Sequence, residues 1–211
     1  MEGTNLHLSQ KETEVILNTE WILTKHRITK KIFEMFDNIS LELKKEVDKK
    51  SYLFPDNIKY QSGKISRGEN YRLLPYLILD YPSFFWKNNF LAYRTMFWWG
   101  NFFSVTLHLS GDHQKKFIKP TLDTYNFLCE HKYFIATGDD QWQHHFESSN
   151  YTPASQYNFS EFENCCKQPF FKIAKFLDLT QWETATEFII TTFKELLMLM
   201  EINYQGGKKD L

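Results

Sequence analysis

Apolar and polar positions alternate most sharply from Phe90 to Leu109, where FLAYRTMFWW and FFSVTLHL flank Gly100-Asn101. Aromatic and β-branched residues suit a pleated, half-buried surface, and Gly-Asn is a favoured two-residue loop because glycine reaches positive φ freely. A β-hairpin over 90–109 is predicted. With Gly100-Asn101 as its loop, Trp99 faces Phe102, and Phe97, Thr95 and Tyr93 pair with Ser104, Thr106 and His108. Met96, Arg94 and Ala92 then pair with Val105, Leu107 and Leu109. Side chains alternate across a strand, so one face is apolar (Phe103, Val105, Leu107, Leu109) and the other carries Tyr93, Thr95, Thr106 and His108. One packed face and one wetter face are what an antiparallel sheet accommodates. Arg94 falls on the apolar face in this register. It snorkels past the sheet edge, holds a buried carboxylate, or marks a pairing that is wrong by one residue.

Away from the hairpin the period lengthens. Ser9 and Glu12 form a capping-box pattern, after which Val15, Ile16, Ile22, Leu23, Phe33, Phe36, Leu43 and Val47 recur at helical spacing. This predicts two amphipathic helices, or one long kinked helix, within residues 1–50. A connection follows over 51–64. Residues 65–81 read as strand, with Pro75 marking an edge, a bulge or a break, and Pro82 to Asn89 as a turn. A helix is expected within 114–130, with Pro120 suited to a first helical position. KYFIAT, 132–137, is a short strand. Residues 138–158 form a long polar loop studded with Trp142, Phe146 and Tyr151. Helices are expected over 160–203, from capping-box patterns at Ser160/Glu163 and Thr180/Glu183, with Pro169 bending or breaking the first and Gly206-Gly207 ending the last. Strands grouped centrally with helices on either side define an α+β fold, a single domain over 1–211. Its antiparallel sheet has four to five strands, centred on hairpin 90–109 and packed against the N- and C-terminal helices.

Charge narrows the partners. The formal net charge is −1, which leaves no basic footprint for nucleic acid or an anionic membrane. No apolar run approaches the roughly 20 residues needed to span a bilayer. The N-terminus lacks the pattern of a signal peptide, and Cys129, Cys165 and Cys166 make an odd count, so a reducing cytoplasm is expected.

Candidate chemistry concentrates in WQHHFESSNY, Trp142 to Tyr151. Dinucleotide fingerprint, P-loop, HExxH and GxSxG patterns are all absent from the chain. The leading expectation is a binding module for a small molecule or a protein partner, with no cofactor. Its site would be floored by Tyr93, Thr95, Thr106 and His108 and covered by Trp142, His145, Asn150 and Tyr151, amphipathic side chains that suit binding surfaces. An alternative is an enzyme dependent on a divalent transition metal. His145-x-Glu147 puts an imidazole and a carboxylate on one side of an extended segment, half of a two-His, one-carboxylate iron site. No histidine follows His145, so the remaining ligand would have to come from upstream, His108, His113 or His131, and His108 is the one taken. A second alternative is a subunit that oligomerises through its aromatic surface. Two basic groups, Arg67/Arg72 beside Tyr71 and Tyr76, and His113/Lys115/Lys116/Lys119 after Gly111, read either as anion sites or as solvated surface.

Overall fold

The structure is a computed structural model and describes residues 6–58 and 61–201. Helices α1 (Gln10–Leu17) and α2 (Thr19–Lys49) lead into four successive antiparallel strands: β1 (Lys64–Tyr71), β2 (Leu74–Trp86), β3 (Asn89–Trp98) and β4 (Phe102–Ser110). Helices α3 (Gly111–Asp123) and α4 (Tyr125–Glu130) then precede short strands β5 (Phe134–Ala136) and β6 (Tyr151–Pro153). Helix α5 (Phe159–Cys166), strand β7 (Phe170–Asp178) and helix α6 (Ala185–Glu201) complete the order. The strands make one seven-stranded sheet, β1-β2-β3-β4-β7-β5-β6, so the fold is α+β with more strands than the four to five expected.

One face of this sheet lies under helices. Leu79, Leu91, Phe103, Val105, Leu107 and Ile173 are buried there against Phe36, Ile39, Phe193 and Leu197 of α2 and α6. The Ser9/Glu12 capping box starts α1 as expected, and the chain breaks at Asn18 before α2, giving two helices. The box expected at Ser160 is instead Asn158 with Glu161. α6 begins at Ala185, after an irregular turn capped by Asp178. The expected helix stop at Gly206-Gly207 lies outside the described residues.

Three expectations about the course and pairing of the strands need correction. The hairpin loop spans Trp99, Gly100 and Asn101 rather than two residues, and the pairs are Trp98–Phe102, Met96–Ser104, Arg94–Thr106, Tyr93–Leu107 and Ala92–His108. The Trp99 amide donates to the Pro75 carbonyl on β2 at 3.1 Å, and Asn101 closes the turn onto the Trp98 carbonyl, with Gly100 at φ +71°. This one-residue slip exchanges the faces of every β3 side chain. Arg94 therefore joins the polar face, while Tyr93 and Thr95 leave it.

The second correction concerns Phe170–Asp178, expected to be helical and found as a central strand beside β4. Pro169 stops α5, and the run FFKIAKFLD then alternates, Phe171 and Ile173 toward the helices, Lys172 and Ala174 away from them. The third concerns the 65–89 region. It is two strands joined by a tight turn at Arg72-Leu73, and β2 runs on through Pro82 across a bulge, leaving only a short turn before Asn89. Pro120, expected to open a helix, lies inside α3.

Candidate functional site

The face of the sheet away from the helices is not solvated. Residues 137–150 fold across it. In the corrected register its side chains fall into bands that cross the strands. A central polar strip holds Asp80, Arg94, Thr106, His108 and Lys172, all but Arg94 less than 9% exposed. An aromatic band lies on each side of the strip: Trp98, Phe102 and Phe176 on one, Phe85, Phe90 and Phe170 on the other.

The covering loop matches these bands. Phe146 enters the first, edge-on to Phe102 and Phe134 at 5.1 Å and stacked on Tyr151 at 4.7 Å. Trp142 enters the second, 5.7 Å from Phe90 and 5.6 Å from the His108 ring. Between these two anchors the polar residues Gln143, His144 and His145 meet the strip and its rim.

Inside the strip each charge has a defined partner. Arg94 forms a two-pronged pair with Asp80, both contacts at 2.8 Å, and its guanidinium lies 5.9 Å from the Trp142 ring and 3.4 Å from His144 Nε2. Among the described residues, Lys172 has no carboxylate in contact. Its Nζ donates to the Gln141 carbonyl at 3.1 Å and to the Gln143 carbonyl, and it sits 5.1 Å over the Tyr151 ring. Burial pushes the Lys172 ammonium down from 10.5 to about 7, and the nearby Arg94 charge adds to this. His108 Nε2 meets Gln141 Oε1 at 3.1 Å. Burial first, then the charges of Lys172 and Arg94, lower His108 to about 3, so its imidazole is neutral at pH 7. The same causes push His144 well below its ordinary value.

Tyr71, at the end of β1, fastens the middle of the loop. Its hydroxyl accepts from the amides of His144 (2.7 Å) and His145 (3.1 Å) and lies 3.0 Å from His145 Nδ1. Arg72 pairs with Glu147 at the rim. Asn150 is 2% exposed and donates to the His145 carbonyl at 2.7 Å.

Where the loop leaves β5, a cleft of about 820 Å³ opens between its first residues and the α5–β7 junction. Asp139, Asp140, Gln141, Trp142, Tyr157 and Cys165 line one part, and Gln168, Pro169 and Phe170 the other. Gln141 is common to the cleft and to the strip, since its carbonyl receives Lys172 and its side chain meets His108. Asp140 is occupied within the loop, accepting from the Trp142 amide and Gln143 Nε2, both at 2.9 Å. Asp139 is exposed at the rim.

Of the residues expected at the site, Thr106, His108, Trp142, His145, Asn150 and Tyr151 gather at the loop-covered face. Tyr93 and Thr95 do not. Tyr93 is buried under α6, 4.8 Å from the Phe193 ring with its hydroxyl on Met200 Sδ, and Thr95 is buried between Leu79 and Val105. Trp142 alone of the eight lines the cleft.

The metal alternative meets a different arrangement. His108 binds Gln141, His145 binds Tyr71, and Glu147 binds Arg72, and among the described residues no three His, Cys, Asp or Glu side chains are grouped to hold a metal ion. The anion-site residues after Gly111 also separate. The His113 ring packs on Phe84, Lys115 pairs with Asp112, and Lys116 reaches the Leu53 carbonyl. Arg67 pairs with Leu77 across β1 and β2, apart from the Arg72–Glu147 pair.

Residues that sequence reading left out complete the site: Asp80, Gln141, His144, Gln168, Phe170 and Lys172. The alternation of Lys172 with Phe171 and Ile173 was the available signal for the last two. No family model, no curated protein and no solved structure matches the chain. Among the described residues, no helix is long and apolar enough to cross a membrane.

Proposed function

We propose that this protein is a binding module for a small molecule, received in the cleft between residues 136–142 and the start of β7. The cleft itself carries this reading. Its volume of about 820 Å³ falls in the range typical of small-molecule sites. It offers aromatic surfaces, Trp142, Tyr157 and Phe170, beside a few polar groups, Asp139, Gln141 and Gln168. Concavity of this size favours a small molecule over a protein partner at this place. An exposed carboxylate beside a half-exposed indole suits a ligand with a flat apolar body and a cationic or hydrogen-bond-donating head. Gln141, held from behind by the neutral His108, gives the wall a hydrogen-bonding amide without adding charge. A cytoplasmic setting belongs to the same proposal and is supported by three free thiols, Cys129, Cys165 and Cys166.

The test is a thermal-shift screen of aryl-ammonium and aryl-amide fragments against wild type, Trp142→Ala and Asp139→Asn. The expected result is a set of fragments that raise the wild-type Tm, lose their effect in Trp142→Ala and weaken in Asp139→Asn. A screen with no fragment whose effect depends on Trp142 would overturn the proposal.

A further inference from the structure

The N-terminal arm carries an apolar surface that no other described residue covers. None of the eight residues of α1 is buried, and the first fully buried side chain of α2 is Ile32. Yet α1 is amphipathic, not polar. Leu8, Val15, Ile16 and Leu17 are each at least half exposed, and so are Trp21 and Leu23 at the start of α2. The break at Asn18 folds the two helices into an angle, and an apolar recess of about 420 Å³ lies between them.

Two physical arguments say this surface is covered in solution. A helix of eight residues is marginal in water without tertiary packing, whatever its cap. The eight large apolar side chains between Leu6 and Leu23 are also each more than a third exposed. At roughly 100 Å² apiece they present on the order of 800 Å², about what one partner contributes to a stable complex and more than a monomer ordinarily leaves open.

Charge identifies the occupant. From Leu6 to Arg27 the arm holds three cations, Lys11, Lys25 and Arg27, and three carboxylates, Glu12, Glu14 and Glu20. Such a surface neither attracts a strongly charged partner nor supplies the cationic face that anchors a helix on anionic lipid. It meets no net repulsion from a copy of itself, and a two-fold axis pairs one such patch with its equal. We infer that the arm is a self-association surface: α1 and the first turns of α2 dock against the same helices of a second copy of this chain.

Sedimentation velocity and light scattering on the full chain test this between 1 and 100 µM, with wild type compared to Ile16→Glu and to Leu17→Glu. The wild type is expected to rise with concentration from 25.4 kDa toward twice that mass. Both variants should stay at the monomer mass at every concentration, with the Tm of the dilute, monomeric wild type, since neither side chain is buried within its own chain. A wild type that stays monomeric at 100 µM overturns the inference. So does a dimer that both variants leave intact, or a monomer whose arm binds neutral phosphatidylcholine vesicles instead. Fragment binding at the Trp142 cleft is a separate readout, so failure of either proposal leaves the other standing.

Discussion

Helices cover one face of the sheet and a loop covers the other, and different forces fasten the two covers. Under the helices apolar contacts predominate: Phe103, with no exposed surface, touches Phe97 and Trp182 rings at 5.1 and 5.4 Å, and Glu195 of α6, paired with Tyr133 and Lys175, is a polar exception. Under the loop, two aromatic anchors flank a strip of charges and imidazoles. Apolar burial is non-directional and cooperative, so the helical side should open only with global unfolding. The loop is held by Lys172 to two carbonyls, by Tyr71 to two amides and by two rings. Few contacts need to break to lift it, and the cleft opens at its first residues. Substitutions and pH should therefore act differently on the two sides.

The largest effects come from emptying either core. Phe103→Ala should cost about 3–5 kcal/mol of unfolding free energy by leaving a cavity under the helices. Arg94→Ala should cost a similar amount for another reason, because Asp80 is left buried without its partner. The double change Asp80→Leu with Arg94→Met should recover most of that loss, whereas no second substitution of similar size mends Phe103→Ala. Chemical denaturation of the three variants checks this. Equal damage from the single and double changes would remove the distinction between the faces.

Acid should act through the strip. His108 and His144 have folded values below the ordinary 6.5, so the folded state binds fewer protons than the unfolded chain below that pH. The share of His108 is present above about pH 6.5 and is lost as pH falls toward 3, up to roughly 5 kcal/mol, and His144 acts in the same direction. His108→Gln should shrink the acid-dependent loss by on the order of 3 kcal/mol in denaturation curves at pH 7 and pH 4. An unchanged pH dependence would place the sensitivity elsewhere. Lys172, also lowered, works in a higher window. Its contribution to stability is complete above about 10.5 and is lost as pH falls from there to about 7.

The turn joining β1 to β2 gives a smaller effect. Arg72 and Leu73 both have positive φ, at 50° and 67°, a region costly for any residue that carries a Cβ. Arg72 is kept in place by Glu147 of the loop, while Leu73 is 86% exposed. Leu73→Gly should therefore raise stability by about 1 kcal/mol in thermal melts, with the Arg72–Glu147 pair intact. A loss of stability would show that Leu73 makes a contact that matters.

The same contrast explains what the sequence disclosed. The helix-covered face was readable from Phe103, Val105, Leu107 and Leu109, because one apolar stripe has one meaning. The loop-covered face was only half readable. His108 and Thr106 were seen on it, and so was the loop that covers them. The pairing slipped by one because Gly100-Asn101 satisfies the two-residue hairpin pattern equally well. What decides the register is the long-range bond from the Trp99 amide to Pro75, which local pattern does not contain. Lys172 was hidden for a related reason. Phe170, Ile173 and Phe176 recur at helical spacing, and a short apolar run bounded by proline fits helix and strand alike. Only the space beside β4 selects the strand, and with it the buried lysine and the wall of the cleft.

The central claim is that the 137–150 loop is a cover fastened by the strip, able to open without the helical core. Hydrogen exchange of wild type and Lys172→Met at pH 7 measures this most directly, with global stability expected to change by less than about 1 kcal/mol. The amides of Thr137, His144 and Asn150 should exchange at least about tenfold faster in the variant, while those of β3 and β4 keep their protection. Loop and strand amides that speed up together, or not at all, would contradict the account.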